Sequence, residues 1–231
     1  VKVSGSRGVL LYADVEVRLP GKGLDVAFRN VFGPLRAEGV EGTLTFDTGA
    51  GDIALDRLEG RIGADTGSGD VRASSIEGSF DADTGSGDIA LDRFRGDEIR
   101  CDTGSGDVKV TGASARRIAA DTGSGNVSVL ASDIEEWSAE TGSGDVRLEA
   151  SGSRARAIEA ETGSGDVTVR LDPSSTFEAV ADQGSGGIQG GFADAQPILR
   201  GREVVGYRRG DGRTRIRVET GSGDFRIEPL R

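Results

Sequence analysis

The residues with the most chemical potential in this 231-residue chain are carboxylates that recur at fixed offsets. An acidic-Thr-Gly-Ser-Gly-Asp-Val unit starts at Asp47, Asp65, Asp83, Asp102, Asp121, Glu140, Glu161 and Glu219, with a degenerate copy, DQGSGGI, at Asp182. Successive copies from Asp47 to Asp182 lie 18, 18, 19, 19, 19, 21 and 21 residues apart, and the last step, to Glu219, is 37. A second acid follows the glycines of each unit, at Asp52, Asp70, Asp88, Asp107, Asp145, Asp166 and Asp224, with Asn126 and Gly187 as the departures. Stacked at the spacing of neighbouring strands, about 4.8 Å, such charges repel by roughly 1 kcal/mol per pair in water. Something must offset that.

Two readings of the acids are open. In the first, Ca²⁺ bridges successive turns through carboxylate and carbonyl oxygens, with Asp52, Asp70, Asp88, Asp107, Asp145 and Asp166 as candidate ligands. Calcium-binding repeats of the GGxGxDxUx kind do this, although here the aspartate directly follows the second glycine and each unit has one such turn. In the second, the Asp and Thr side chains hydrogen-bond turn backbone groups and no cofactor is involved. The threonines of the unit, in phase with the inward residues, then form an internal hydroxyl ladder.

Composition excludes much other chemistry. The chain has no histidine, which removes a Ser-His-Asp triad, a Cys-His pair and histidine-ligated zinc. Its single cysteine, Cys101, forms neither an internal disulfide nor a multi-cysteine metal site. Gly-Ser-Gly precedes strands and never a helix, so these are not phosphate-binding loops. Aromatic residues make up 5 % of an acidic chain with interspersed basic residues, which argues against a nucleic-acid surface. No run of about 18 apolar residues is present to span a membrane, and the opening residues carry no signal-peptide pattern.

The elements that position these acids are strands. Before each turn, one inward position reads Leu44, Ile62, Phe80, Ile99, Ile118, Trp137, Ile158, Ala179, Ile216, and another reads Phe46, Ala64, Ala82, Cys101, Ala120, Ala139, Ala160, Ala181, Val218. After the turn come pairs such as Ile53/Leu55, Val71/Ala73, Ile89/Leu91 and Val108/Val110. Polar residues fill the positions between, and strict alternation of this kind marks half-buried strands. A third apolar position (Leu58, Ile76, Phe94, Ile134) plugs the far corner. Glycine reaches 38 of 231 residues, but it is placed in the turns and lacks Gly-X-Y triplets, so neither disorder nor collagen fits. The same residue at the same offset in every unit is the signature of stacking. The expectation is therefore an all-β, single-stranded β-solenoid (β-helix), right-handed, of about ten coils of 18–21 residues. One domain is expected: an N-terminal capping strand within 1–23, drawn from Val9–Leu19, regular coils over 24–188, an irregular insertion with a hairpin over 189–218, and a last coil over 219–231. The hairpin turn is placed at Gly210-Asp211-Gly212, and the 37-residue step is taken as two periods, one of which has lost its motif.

The charge follows the same geometry. The two acidic columns hold 16 of the 39 acids, and the remaining 23 are outnumbered by 28 Lys and Arg, so the net charge of −11 belongs to the turn edge.

The units TGSGDIAL, TGSGDVKV and TGSGDVTV, with the entry segment LDVAFRNVFGPLRAEGVEGTLTFDTGAGDI, resemble a large bacterial family of adhesin-like domains of unknown function. The resemblance covers roughly residues 9–229. It implies a β-helical fold, placement outside the cytoplasm (cell envelope, periplasm or exterior) and an adhesin-like role, and it supplies no catalytic residues. The expected function is a non-enzymatic binding scaffold, monomeric or weakly oligomeric, whose partner is a protein or a surface polysaccharide and not nucleic acid. A structural or self-assembling spacer is the alternative. A polysaccharide-active enzyme would need unique carboxylates in one cleft, and the irregular stretch offers only Asp182, Asp194, Glu203 and Asp211.

Overall fold

The computed structural model describes residues 16–18, 22–152 and 154–230. Every regular element among them is a strand. In chain order these are β1 (Leu24–Phe32), β2 (Leu35–Glu38), β3 (Glu41–Ala50), β4 (Ile53–Thr66), β5 (Val71–Thr84) and β6 (Ile89–Thr103). Then follow β7 (Val108–Thr122), β8 (Val127–Thr141), β9 (Val146–Ala150), β10 (Ala157–Ser164), β11 (Val167–Leu171) and β12 (Phe177–Ser185). The last five are β13 (Ile188–Gly190), β14 (Gln196–Arg200), β15 (Glu203–Arg209), β16 (Thr214–Ser222) and β17 (Phe225–Pro229). No helix among the described residues is long and apolar enough to cross a membrane.

Parallel pairing at the repeat distance builds the expected β-solenoid. Ile53 pairs with Val71 and Thr66 with Thr84, and the next coil continues with Val71 on Ile89 and Thr84 on Thr103. Because the register equals the repeat, like stacks on like, and the apolar columns close a continuous core. Ile53, Val71, Ile89, Val108, Val127 and Val167 are wholly buried, as are the corner plugs Leu58, Ile76, Phe94 and Ile134. Each such aliphatic side chain contributes about 1.5–3 kcal/mol by leaving water. The small column (Ala64, Ala82, Cys101, Ala120, Ala139, Ala160, Ala181) is buried too, and lets the two sides of each coil approach closely. Trp137 fills its isoleucine slot and donates its indole N–H to the Ile134 carbonyl at 3.1 Å. Complete burial pushes the Cys101 thiol up to about 12, which leaves it an inert core residue.

After the second strand of four successive coils the chain bends through a left-handed residue, at Arg57 (φ 52°), Ser75 (φ 55°), Arg93 (φ 57°) and Gly112 (φ 64°). Three of these are not glycine, and each carries the strain of that region. The arginines there turn back onto acids, Arg57 onto Asp56 and Glu38, and Arg93 onto Asp92.

The end of the rod departs from the expected order. β10–β11 is followed in space by β16–β17, and β12–β13 stacks on the far side of that pair. The last coil is thus inserted between two coils that precede it in the chain. The 37-residue step is an excursion and return, with no coil that lost its motif. Its hairpin turns at Gly201–Arg202 between the antiparallel strands β14 and β15. Gly210-Asp211-Gly212 is instead a crossing: β15 pairs antiparallel with one edge of β12, β16 parallel with the other, and both meet it at Phe177. The last coil begins at Thr214, where residue 219 was expected. Phe192 closes over Phe177 with ring centroids 5.0 Å apart, and the Arg209 guanidinium lies 5.0 Å from the Phe192 ring while donating to the Pro173 and Ser175 carbonyls. The expected capping strand Val9–Leu19 lies outside the described residues, apart from 16–18, which are exposed and in no strand.

Candidate functional site

The turn edge carries the acids, and its geometry is set by glycine. Gly106 is buried against the coil before it, where a Cβ would stand 1.9 Å from the Gly87 carbonyl oxygen, and at Gly104 the same atom would stand 2.5 Å from the Gly85 oxygen. Only glycine lets the turns stack at strand spacing.

The six candidate metal ligands lie in one column, together with Asp224. Each uses one carboxylate oxygen on the backbone of the next coil. Asp52 Oδ1 accepts the Asp70 N–H at 3.0 Å, Asp70 that of Asp88 at 3.0 Å, and Asp88 that of Asp107 at 2.9 Å. The series continues through Asp107, Asn126 and Asp145. It then follows space and not sequence: Asp166 accepts the Asp224 N–H at 2.9 Å, and Asp224 accepts that of Gly187 at 2.8 Å. Asn126 keeps the ladder whole because its amide oxygen accepts as a carboxylate would. The column is a set of amide caps. Among the described residues no group of three or more His, Cys, Asp or Glu is arranged to hold a metal ion.

The threonines form the second ladder. Thr66 Oγ1 donates to the Gly51 carbonyl at 3.0 Å, Thr84 to Gly69 at 3.0 Å, Thr103 to Gly87 at 2.8 Å and Thr122 to Gly106 at 2.7 Å. These hydroxyls are buried and reach back to the preceding coil. The internal ladder therefore runs from hydroxyl to carbonyl, with no hydroxyl–hydroxyl chain.

Beside the capping aspartates runs a row whose order is visible only in space: Arg36, Ala54, Arg72, Ala90, Lys109, Ser128, Arg147, Thr168, Arg226, Gln189. A cation stands on every second of ten rungs, and the alternation would fail if the last coils followed chain order. Two of these cations bridge aspartates of adjacent coils. Arg226 binds Asp166 and Asp224, both at 2.7 Å, and Arg72 binds Asp70 at 2.5 Å with Asp52 at 3.7 Å. Arg147, whose preceding coil offers the neutral Asn126, turns to Glu149 instead. The Asp224 N–H and the Arg226 guanidinium together hold the Asp166 carboxyl below the usual range.

The outer acidic column begins at Asp47, which Arg29 meets at 3.5 Å, and its next members, Asp65, Asp83, Asp102, Asp121, Glu140 and Glu161, cap nothing and have no cation within 4 Å among the described residues. Partial withdrawal from water, then the charges of Asp102, Asp65 and Asp81, raise Asp83; withdrawal and Asp102 raise Asp121. Asp121 and then partial burial raise Glu140. The turn edge thus holds one column whose acids cap amides, four of them also paired with arginine, and one column that caps nothing.

At the end of the rod, Asp182 and Asp211 line one cleft of about 580 Å³ together with Glu178 and Glu219. Asp194 lies elsewhere, bound to Arg209 at 2.7 Å and held low by it, and Glu203 lies outside the cleft. The cleft also gathers Arg200, Arg208, Arg215 and Arg217, which sequence reasoning missed because the hairpin and the inserted coil bring them together. The alternating cation row was legible, at intervals of two repeats, as far as Arg147.

No curated protein and no solved structure matches the chain. A family model does, over residues 15–228, and it covers the entry strand, every coil and the hairpin. The chain belongs to the Toastrack DUF4097 family, a domain of unknown function.

Proposed function

We propose that this chain is a non-enzymatic, adhesin-like binding scaffold of the bacterial cell envelope or exterior, which presents a rigid repetitive surface to a protein or a surface polysaccharide. The observation that carries the reading is the use of the turn residues. Aspartate, threonine and glycine of the regular repeats are spent on joining one coil to the next. What remains for a partner is the outward residues, held in register over ten rungs, and extended surfaces of this kind are what solenoids offer. The envelope location rests on the resemblance of the repeats.

A glycan array carrying cell-wall and capsular polysaccharides tests the reading, with an incubation assay for released reducing sugar beside it. Saturable binding without sugar release is expected. Sugar release would make the chain an enzyme. Failure to bind any polymer, together with failure to capture an envelope protein by cross-linking, would leave a spacer.

A further inference from the structure

The hairpin does more than close the rod. Side chains from β12, β14, β15, β16 and the crossing turn surround the 580 Å³ cleft, where the hairpin leaves the repeat. Some of the charges there are already matched. Arg208 lies 3.7 Å from Glu178, and Arg217 reaches Glu159 of the neighbouring coil at 3.7 Å. Asp211 accepts the Thr176 hydroxyl, which holds its carboxyl low and ionised.

Four charges are not matched. Among the described residues, Arg200 and Arg215 have no carboxylate within 4 Å, and Asp182 and Glu219 have no cation within that distance. All four line the same cleft. Asp182 and Glu219 continue the outer acidic column, and here two guanidinium groups without a carboxylate partner line the same cleft, whereas Arg209 on the same hairpin is paired with Asp194. Strand register keeps the acids and these guanidinium groups apart, since Asp182 stands beside Glu219 on adjacent rungs and Arg215 lies beside Glu178. Between the charges, at an outward position of β12, stands Val180, where the other coils carry Gly63, Asp81, Arg100, Ala119, Ser138, Glu159 and Arg217.

Free guanidinium groups offer planar forks for a carboxylate or a phosphate. Free carboxylates accept hydroxyl hydrogens, and an aliphatic patch suits the C–H face of a sugar ring. We infer that this cleft binds an anionic sugar, with Arg200 and Arg215 on its acidic group, Asp182 and Glu219 on its hydroxyls, and Val180 beneath the ring. The inference rests on the binding-scaffold reading and gives it a site.

Calorimetric titration of the whole chain with glucuronate, glucose 6-phosphate, glucose, glucosamine and inorganic phosphate tests it. Glucuronate or glucose 6-phosphate should bind at least about tenfold more tightly than glucose, glucosamine or phosphate alone, and the stronger of the two identifies the acidic group. The R200A/R215A double variant should lose that binding about tenfold with an unchanged melting temperature, while R36A/K109A, on the far rungs, keeps it. Glucose or glucosamine binding as tightly as the anions, phosphate alone matching the sugar phosphate, or an unaffected R200A/R215A variant would overturn the inference. Array binding that survives R200A/R215A removes the cleft and leaves the scaffold. Loss of array binding with the titration intact does the reverse.

Discussion

The two ends of the rod relax in opposite ways, and together they show that each column has a direction. Glycine, threonine and the N–H of the capping residue all face the coil before; the capping carboxylate faces the coil after. At the first coil, among the described residues, nothing lies before. Asn30 stands in the threonine slot, Val31 in that of Gly49, and Pro34, which has no N–H to donate, in that of Asp52. At the last coil in space nothing lies after, and the carboxylate slot holds Gly187. Residue choice in these columns thus reports whether a neighbouring coil exists. One position breaks the rule. Gln183 occupies a threonine slot that has a coil before it, donates to Gly186 of its own turn at 2.9 Å, and leaves its Oε1 buried without a partner. No feature of the structure explains it.

The contrast between interior and end can be tested by substitution. Gly106→Ala drives a methyl into the Gly87 carbonyl, and should cost about 3–5 kcal/mol, a fall in Tm of about 10 °C or more. Val31→Gly, in the equivalent first-glycine slot of the open coil, should change stability by no more than about 0.5 kcal/mol. A small effect of Gly106→Ala in a thermal melt would mean that the turns do not stack as closely as described. Asp107→Ala orphans the Asn126 N–H and should cost about 1–3 kcal/mol by urea unfolding.

Gln183→Thr should stabilise by about 0.5–1.5 kcal/mol, because the new hydroxyl can donate to the free Gly223 carbonyl and no buried acceptor is left unpaired.

The outer acids give a smaller effect with a definite sign. Asp83, Asp121 and Glu140 have raised folded-state pKa values, so their repulsion is a cost at neutral pH that is relieved as pH falls through those values. Asp166, Asp194 and Asp211 are held low, and their contribution is lost only on further acidification, as pH falls through their depressed values. Tm should therefore rise as pH falls from neutral towards the ordinary carboxylate range and fall on acidification below that range. The D83N/D121N/E140Q variant should gain about 1–3 °C at pH 7 and flatten that rise. A wild-type Tm that falls steadily from pH 7 downwards would place the dominant charges elsewhere. Smallest of all, Gly187→Asp should leave Tm within about 1 °C, since no N–H waits for its carboxylate.

The fold was legible because repetition multiplies a weak signal. Period-two alternation in one unit is a short strand, and the same alternation at Ile53, Val71, Ile89 and Val108 in register is a solenoid. Capping and hydroxyl ladders were legible as one of two readings, since spacing alone does not say whether an aspartate oxygen meets an amide or a cation. The order of the last coils was not read from the sequence, though it left a mark there. Gly187 departs from the capping column, where no following coil is left to cap. The cleft was hidden for the same reason: Arg200 and Arg215 become neighbours of Asp182 only once the later coil is in place.

That order also fixes when the rod can be finished. Coils up to Leu171 stack on segments 18–21 residues earlier and can close as the chain emerges. The seat for Phe177–Gly190, however, is built by Thr214–Pro229, which is synthesised afterwards. The rung joining Asp166 to Asp224 spans 58 residues, and closing that loop costs about 1 kcal/mol more than closing a single repeat. Until then, Phe177–Gly190 can settle on β10–β11 and occupy the later coil's place. Refolding should accordingly show a fast phase for the first eight rungs and a slower one in which the final two exchange places.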